Sequence, residues 1–398
     1  MRRIVAVIVM ATGILVALPS YPVGATRVPD LQCGVTPTSS VRLRTDLTCT
    51  DPFTLPAGNP PLTIDLGGHT LTFTDKTCAP GPPITRCDIT DQSGSVTIRN
   101  GTVDGSISLG ENRHAPAQGT LSRVRVLGHV DTWGASTVAD SHLYAGLTAF
   151  GAITLDHNTI RGGVRVDDSQ RATPMNIVDN LILSSPGAGL DVFVSFDFDR
   201  VGGTIQGNDI RNSVGDGILI HGQGANGLGE LHVTANRLTG NGGDGISYPQ
   251  DNTFPSRVGI GPVVFARNSA RHNAGHGIDI RDAHTSEPAI GVFDGADNSA
   301  KYNGLSPRCI GVDCDADPRA VPVITWAQPA PIVTGTPLGP DQLDATASVP
   351  GCLTYTPDAG TVLDPGGYSL VVTFVPDDLV HYQPISLGVA LEVQKFPF

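Results

Sequence analysis

Lysine is scarce in this chain. Three lysines (Lys76, Lys301 and Lys395) stand among 25 basic residues, against 38 acidic ones, for a net charge of −13. That balance argues against a nucleic-acid partner, whose affinity rests on Lys and Arg neutralising phosphates. It leaves room for an acidic polysaccharide held by a local basic cluster or by bridging cations. Long apolar runs are missing too. The stretch Ile4–Leu18 ends at Pro19 and is too short for a spanning helix. It lies between Arg2-Arg3 and the small residues Val23-Gly24-Ala25, so residues 1–25 read as a secretory signal peptide. A secreted, extracellular protein with no membrane span in the mature chain is expected. Helical periodicity is also absent. Apolar residues come in twos and threes with alternation, bounded by Gly or Asn, which is the pattern of strands. No histidines cluster near the cysteines at ligand spacing, which removes a zinc site.

What is present is a repeat. An apolar residue, two variable residues and an Asn recur at Leu155–Asn158, Ile177–Asn180, Ile205–Asn208, Val233–Asn236 and Phe265–Asn268. Two residues past each Asn stands Ile160, Ile182, Ile210, Leu238 or Ala270. Further on come GAGLDV (187–192), GDGILI (215–220), GDGISY (243–248) and GHGIDI (275–280), with a shortened form RGGVRV (161–166) before them. Asn spacings of 22, 28, 28 and 32 residues indicate a solenoid. A single rung cannot bury its own inward side chains, but stacked rungs can. Leu155, Ile177, Ile205, Val233 and Phe265 should form one interior column, and Val164, Leu190, Ile218, Ile246 and Ile278 another. Asn at a fixed corner suits a left-handed bend, and stacked Asn side chains can hydrogen-bond from rung to rung.

These rungs resemble the right-handed parallel β-helix of the pectate-lyase-like superfamily. The likeness extends to VTIRNGTVDG (96–105), taken as a looser rung with Asn100, and to LTIDLGGHTLTF (62–73), similar to the first rung of secreted bacterial β-helix proteins. Downstream, VFDGADNSAKYNG (292–304), followed by Cys309 and Cys314, resembles a closing rung. Residues 315–337 are rich in Pro and small residues. Alternating strands follow at 352–357, 368–376 and 389–394. The stretch 324–363 resembles bacterial Ig-like modules. The expected fold is therefore all-β: a signal peptide (1–25), a right-handed parallel β-helix solenoid (26–315), a linker (316–325) and a small Ig-like β-sandwich (326–398). Seven cysteines suit an oxidising compartment. Proximity pairs Cys33 with Cys49, Cys78 with Cys87 and Cys309 with Cys314, leaving Cys352 over.

Function must be sought in a site, because the fold is a scaffold. The residues that lengthen the later rungs all fall after the G-x-G strand, at 195–203, 222–230, 249–261 and 282–289. Recurring insertions at one corner mark a binding face. The outward residues of the adjoining strand are ionisable: Arg165, Asp167, Asp168, Asp191, His221, Asp279, Arg281 and Asp282, with His284 just beyond. Strand spacing puts Asp191 about 8 Å from His221, and His221 about 10 Å from Arg281. A lyase needs a base and a group that neutralises a uronate. A glycoside hydrolase needs two carboxylates about 5–10 Å apart. Asp191, His221, Asp279, Arg281 and Asp282 are the candidate catalytic residues.

Other motifs are absorbed by the repeat. Gly275-His276-Gly277 and Asp156-His157-Asn158 fill variable slots of the frame, and Asp216, Asp244 and His276 share one corner column. Asp313, Asp315 and Asp317 suggest calcium as a cofactor, but Pro318 stands where an EF-hand loop has Gly. Two functions stay open: a polysaccharide-associated protein, as lyase, hydrolase or binder, and a non-catalytic surface or adhesion protein with an Ig-like stalk. Oligomeric state is open.

Overall fold

The computed structural model describes residues 27–75, 88–110, 118–168, 174–194, 201–222, 228–249, 263–281, 292–295, 297–315, 319–379 and 381–395. Among them every regular element is a strand. Each rung of the solenoid contributes three short strands, as in Ile153–Asp156, Thr159–Arg161 and Val164–Asp168, and each pairs in parallel with its counterpart one rung on. The third strands build an eleven-stranded parallel sheet from Phe53–Leu55 to Cys309–Ile310. The first and second strands belong to one continuous sheet, because Val96–Asp104 and Thr120–Val126 run through the corner between them.

The register follows the repeat. Leu155 pairs with Ile177, then Ile205, Val233 and Phe265, and all five are fully buried. Val164, Leu190, Ile218, Ile246 and Ile278 form the matching column on the third face. Both belong to one continuous core from Leu31 to Val312. At about 1.5–3 kcal/mol per buried aliphatic side chain, this column packing is the main force holding one rung on the next. Gly217 keeps its rung close to the next. A Cβ there would lie 2.5 Å from the carbonyl oxygen of Gly245.

The corner between the first two strands differs from expectation. The left-handed residue is not the Asn but the one before it: His157, Asp179, Ala235, Arg267 and Asp297 have φ of 54° to 61°, and Gly207 has 68°. The Asn side chains instead point inward and are buried. Asn180 Oδ1 accepts the backbone N–H of Asn158 at 2.9 Å and its side-chain amide at 2.9 Å. Asn208, Asn236, Asn268 and Asn298 continue the ladder. Asn100 is displaced from this column. Arg99 pairs with Ser122 and Gly101 with Val124, so Asn100 occupies the left-handed slot, with φ of 60°. A second inward ladder, Asn241–Asn273–Asn303, lines the next corner.

Rungs lengthen along the coil. Seventeen residues separate Ser141 from Asn158, and 28 to 32 separate later neighbours in the ladder. Most of the inserted residues, 195–200, 223–227, 250–262 and 282–291, lie outside the described residues. The ends of two insertions are strand: Val201–Gln206 and Leu228–Thr234 begin before the repeat frame does. Disulfides join Cys33 to Cys49 and Cys309 to Cys314, at the two ends of the coil. The proposed Cys78–Cys87 pair and the signal peptide lie outside the described residues. Cys352 is a free, exposed thiol.

Beyond the coil, Gly351–Thr356, Gly366–Pro376 and Ile385–Gln394 pair antiparallel in turn, and Ile332–Val333 completes a four-stranded sheet. Ile324–Thr325, at the end of the expected linker, pairs with Thr346–Ala347. A separate core forms here around Trp326, Leu338, Leu370, Val372 and Leu391.

Candidate functional site

Strand alternation sends one set of third-strand residues outward. Arg165 pairs with Asp191 and then Leu219, and Asp167 pairs with Phe193 and then His221. Asp191 and His221 are therefore offset diagonally on neighbouring rungs, as expected, but their side chains lean across the gap and meet. His221 Nε2 lies 2.7 Å from Asp191 Oδ1. The other carboxylate oxygen accepts Arg165 Nη1–H at 2.7 Å, and Arg165 Nη2–H reaches Asp167 at 3.1 Å. Burial by itself would raise the Asp191 carboxyl. The hydrogen bond with His221 and the Arg165 charge outweigh it and hold that carboxyl below its ordinary range.

Phe193, which carries no ionisable group and is not among the candidates drawn from the sequence, completes this cluster. The Arg165 guanidinium lies 5.2 Å from its ring centroid, and the His221 ring meets it edge-on at 5.3 Å. Its outward register between Asp167 and His221 was the available signal. In the shorter rungs the same sheet carries Trp133 stacked on Phe150 at 4.2 Å. Just before the strand that carries Trp133, His129 Nδ1 meets the Ala145 carbonyl oxygen at 2.8 Å, and Nε2 lies 3.3 Å from Asp131. Burial opposes protonation of His129, but Asp131 and the Ala145 carbonyl together raise its pKa.

Asp279 and Arg281 form a second group. Arg281 Nε–H donates to Asp279 Oδ1 at 2.7 Å, and its Nη2 pairs with the other oxygen in a bidentate fork. The Asp279 hydrogen bond raises the Arg281 pKa further. Arg281 thus turns to its own rung instead of joining His221. Asp282 and His284 lie outside the described residues.

Between the two groups runs the G-D-G corner. Asp216 Oδ1 accepts the Asp244 backbone N–H at 2.6 Å, and Asp244 Oδ1 accepts that of His276 at 2.6 Å. Burial, with Asp216 and Asp279 nearby, pushes the Asp244 carboxyl up to about 6 against the His276 N–H and imidazole. Among the described residues no three His, Cys, Asp or Glu side chains converge as a metal site. No helix among them is long and apolar enough to cross a membrane.

No protein-family model and no curated protein matches this sequence. Solved structures similar to it include the A-module of mannuronan C-5 epimerase AlgE4 from Azotobacter vinelandii, at 11% identity and a TM-score of 0.38, over 70% of this chain and 91% of that one. The periplasmic alginate epimerase AlgG aligns at 14% identity and a TM-score of 0.31, over 69% and 75% of the two chains. The Dettilon tailspike protein aligns at 11% and 0.28, over 83% and 71%. At these scores the likeness decides nothing about this chain. Its class, a parallel β-helix, follows from its own rung-by-rung register.

Proposed function

We propose that this chain is an exported, polysaccharide-associated β-helix protein that engages glycans on the outward face of its third strands. The observation that carries the reading is the partly exposed Arg165–Asp191–His221–Phe193 cluster on a straight ladder of strands. Carboxylate and imidazole groups can accept and donate to sugar hydroxyls, and the planar groups supply contact area. Charge narrows the class. Between Arg165 and Arg281 this face carries Asp167, Asp191, Asp216, Asp244 and Asp279 against those two arginines. Both guanidiniums are already matched by carboxylates. A polyuronate would meet surplus negative charge within a Debye length of about 8–10 Å, so a neutral glycan fits better.

In this reading residues 1–25 are an export signal and 326–398 an Ig-like spacer. The two disulfides support an extracellular or periplasmic setting. One observation favours the alternative, a non-catalytic adhesion or structural protein: Arg165, Asp191, His221, Asp279 and Arg281 each have a partner within the face.

The test is retention on affinity gels and release of reducing ends with xylan, a neutral glucan, pectin, alginate and chondroitin, with and without calcium. Retention or cleavage of a neutral glycan, weakened about fivefold or more by His221→Ala, is expected. No retention and no product with any of them would remove the proposal in favour of the adhesion reading.

A further inference from the structure

We infer that the corner built from Asp216, Asp244 and His276 is a pH-sensitive joint of the solenoid, closed in mild acid and loosened as its half-buried carboxyls ionise toward neutral pH. Each carboxylate staples one rung to the next by accepting a backbone N–H, at 2.6 Å in both cases. Each carboxylate is packed against the glycine of the following rung. A Cβ on Gly243 would overlap Asp216 Oδ1, and one on Gly275 would overlap Asp244 Oδ1.

The groups facing Asp244 come from both neighbouring rungs. The preceding rung supplies Asp216, with His221 beside it. The following rung supplies His276, Asp279 and Arg281. Asp279 is held by Arg281, and His276 Nδ1 lies 2.6 Å from the Pro307 carbonyl oxygen. The nearest partner of Arg281 is thus Asp279, and Asp244 shares its space with two other carboxylates as well as with the His276 ring.

The sign follows from linkage. The Asp244 carboxyl titrates at about 6 in the folded chain against an ordinary 3.8. Its contribution to stability is whole below 3.8 and is lost as pH rises through about 6. Asp216 is raised as well, chiefly by burial and then by Asp279, so it acts in the same sense. The carboxyls of Asp65 and Asp191 are lowered and act only in stronger acid. Two pH units of displacement correspond to a roughly hundredfold change in the folding constant. The same ionisation makes the outward face more negative at neutral pH, which would sharpen its selection against anionic chains.

The experiment compares the full chain with Asp244→Asn, whose amide oxygen can still accept the His276 N–H. Denaturation midpoints are measured from about pH 4.5 to 6.5, the window set by the displaced carboxyl. The wild-type midpoint should fall across this range and the variant should lose most of that slope. Hydrogen exchange at the His276 amide of the wild-type chain, corrected for intrinsic rates, reads the joint even if the variant fails to fold. Protection should drop by one to two orders of magnitude over the same range. An unchanged slope in Asp244→Asn, or constant protection at His276, would overturn the inference.

Discussion

Two corners of one coil solve the same problem with different chemistry. At each, a side-chain oxygen accepts a backbone N–H from a neighbouring rung. The inward corner uses Asn, and six of them run from Asn158 to Asn298. The outward corner uses Asp, but only at Asp216 and Asp244, and the next position is His276. An amide both accepts and donates. Asn208 receives from Asn180 and donates to Asn236 and to the Ile177 carbonyl oxygen, so the ladder grows without accumulating charge. A carboxylate only accepts. Stacking a second one adds repulsion, and a third would add more. The amide ladder can therefore be dry and long, whereas the carboxylate ladder must be short and partly wet.

Exchanging the two chemistries gives the largest effect. Asn208→Asp would bury a carboxylate that cannot donate to Asn236 or Ile177, at a cost of about 4 kcal/mol at neutral pH. The cost should shrink on acidification, since a protonated acid regains a donor. Urea denaturation at neutral and acid pH reads both effects, and a variant as stable as wild type at neutral pH would mean that the ladder is not what fixes this corner. Asn208→Ala makes a smaller change. It leaves the buried Asn180 N–H without an acceptor, for about 2–3 kcal/mol, and introduces no pH dependence. A pH-dependent loss in the alanine variant would mean that charge is not what separates the two corners.

The comparison also explains what could be read in the sequence. The inward columns were legible because period-2 strands and a constant offset from Asn leave each residue one place to go. Ile177 beneath Ile205 and Leu190 beneath Ile218 follow from spacing alone. The bend was assigned to Asn on its tolerance for left-handed backbone. Burial won instead: Asn is spent on the ladder, and the strain falls on exposed residues such as Arg267 and His157, the latter resting outside the core against Asp156 at 2.6 Å. The second ladder is absent from the sequence expectations, although its signal was there: Asn241, Asn273 and Asn303 follow Asn236, Asn268 and Asn298 by five residues. On the outward face, alternation identified Asp191, His221, Asp279 and Arg281, but not their pairing. Which neighbour a long side chain chooses depends on rotamers across rungs 30 residues apart in sequence. Spacing therefore left open that Arg281 takes Asp279 and leaves His221 to Asp191.

The smallest expected effect sharpens the contrast between carboxylates on one face. Asp191 and Asp244 are both half-buried, and burial alone would raise both. They separate because His221 and Arg165 overcome burial at Asp191, whereas at Asp244 burial, with Asp216 and Asp279 added, outweighs the His276 N–H and imidazole. A lowered carboxyl contributes stability above its ordinary 3.8 that is lost as pH falls through the folded value. Asp191→Asn should therefore cost less than about 1 kcal/mol at neutral pH, the scale of a partly solvated ion pair. It should also flatten the acid limb of the denaturation curve below about pH 4 and leave the limb near pH 6 untouched. Asp244→Asn should do the reverse. If both variants altered the same limb, the two carboxylates would belong to one titrating unit, and the division of the face into a cation-held half and a carboxylate-stacked half would fail.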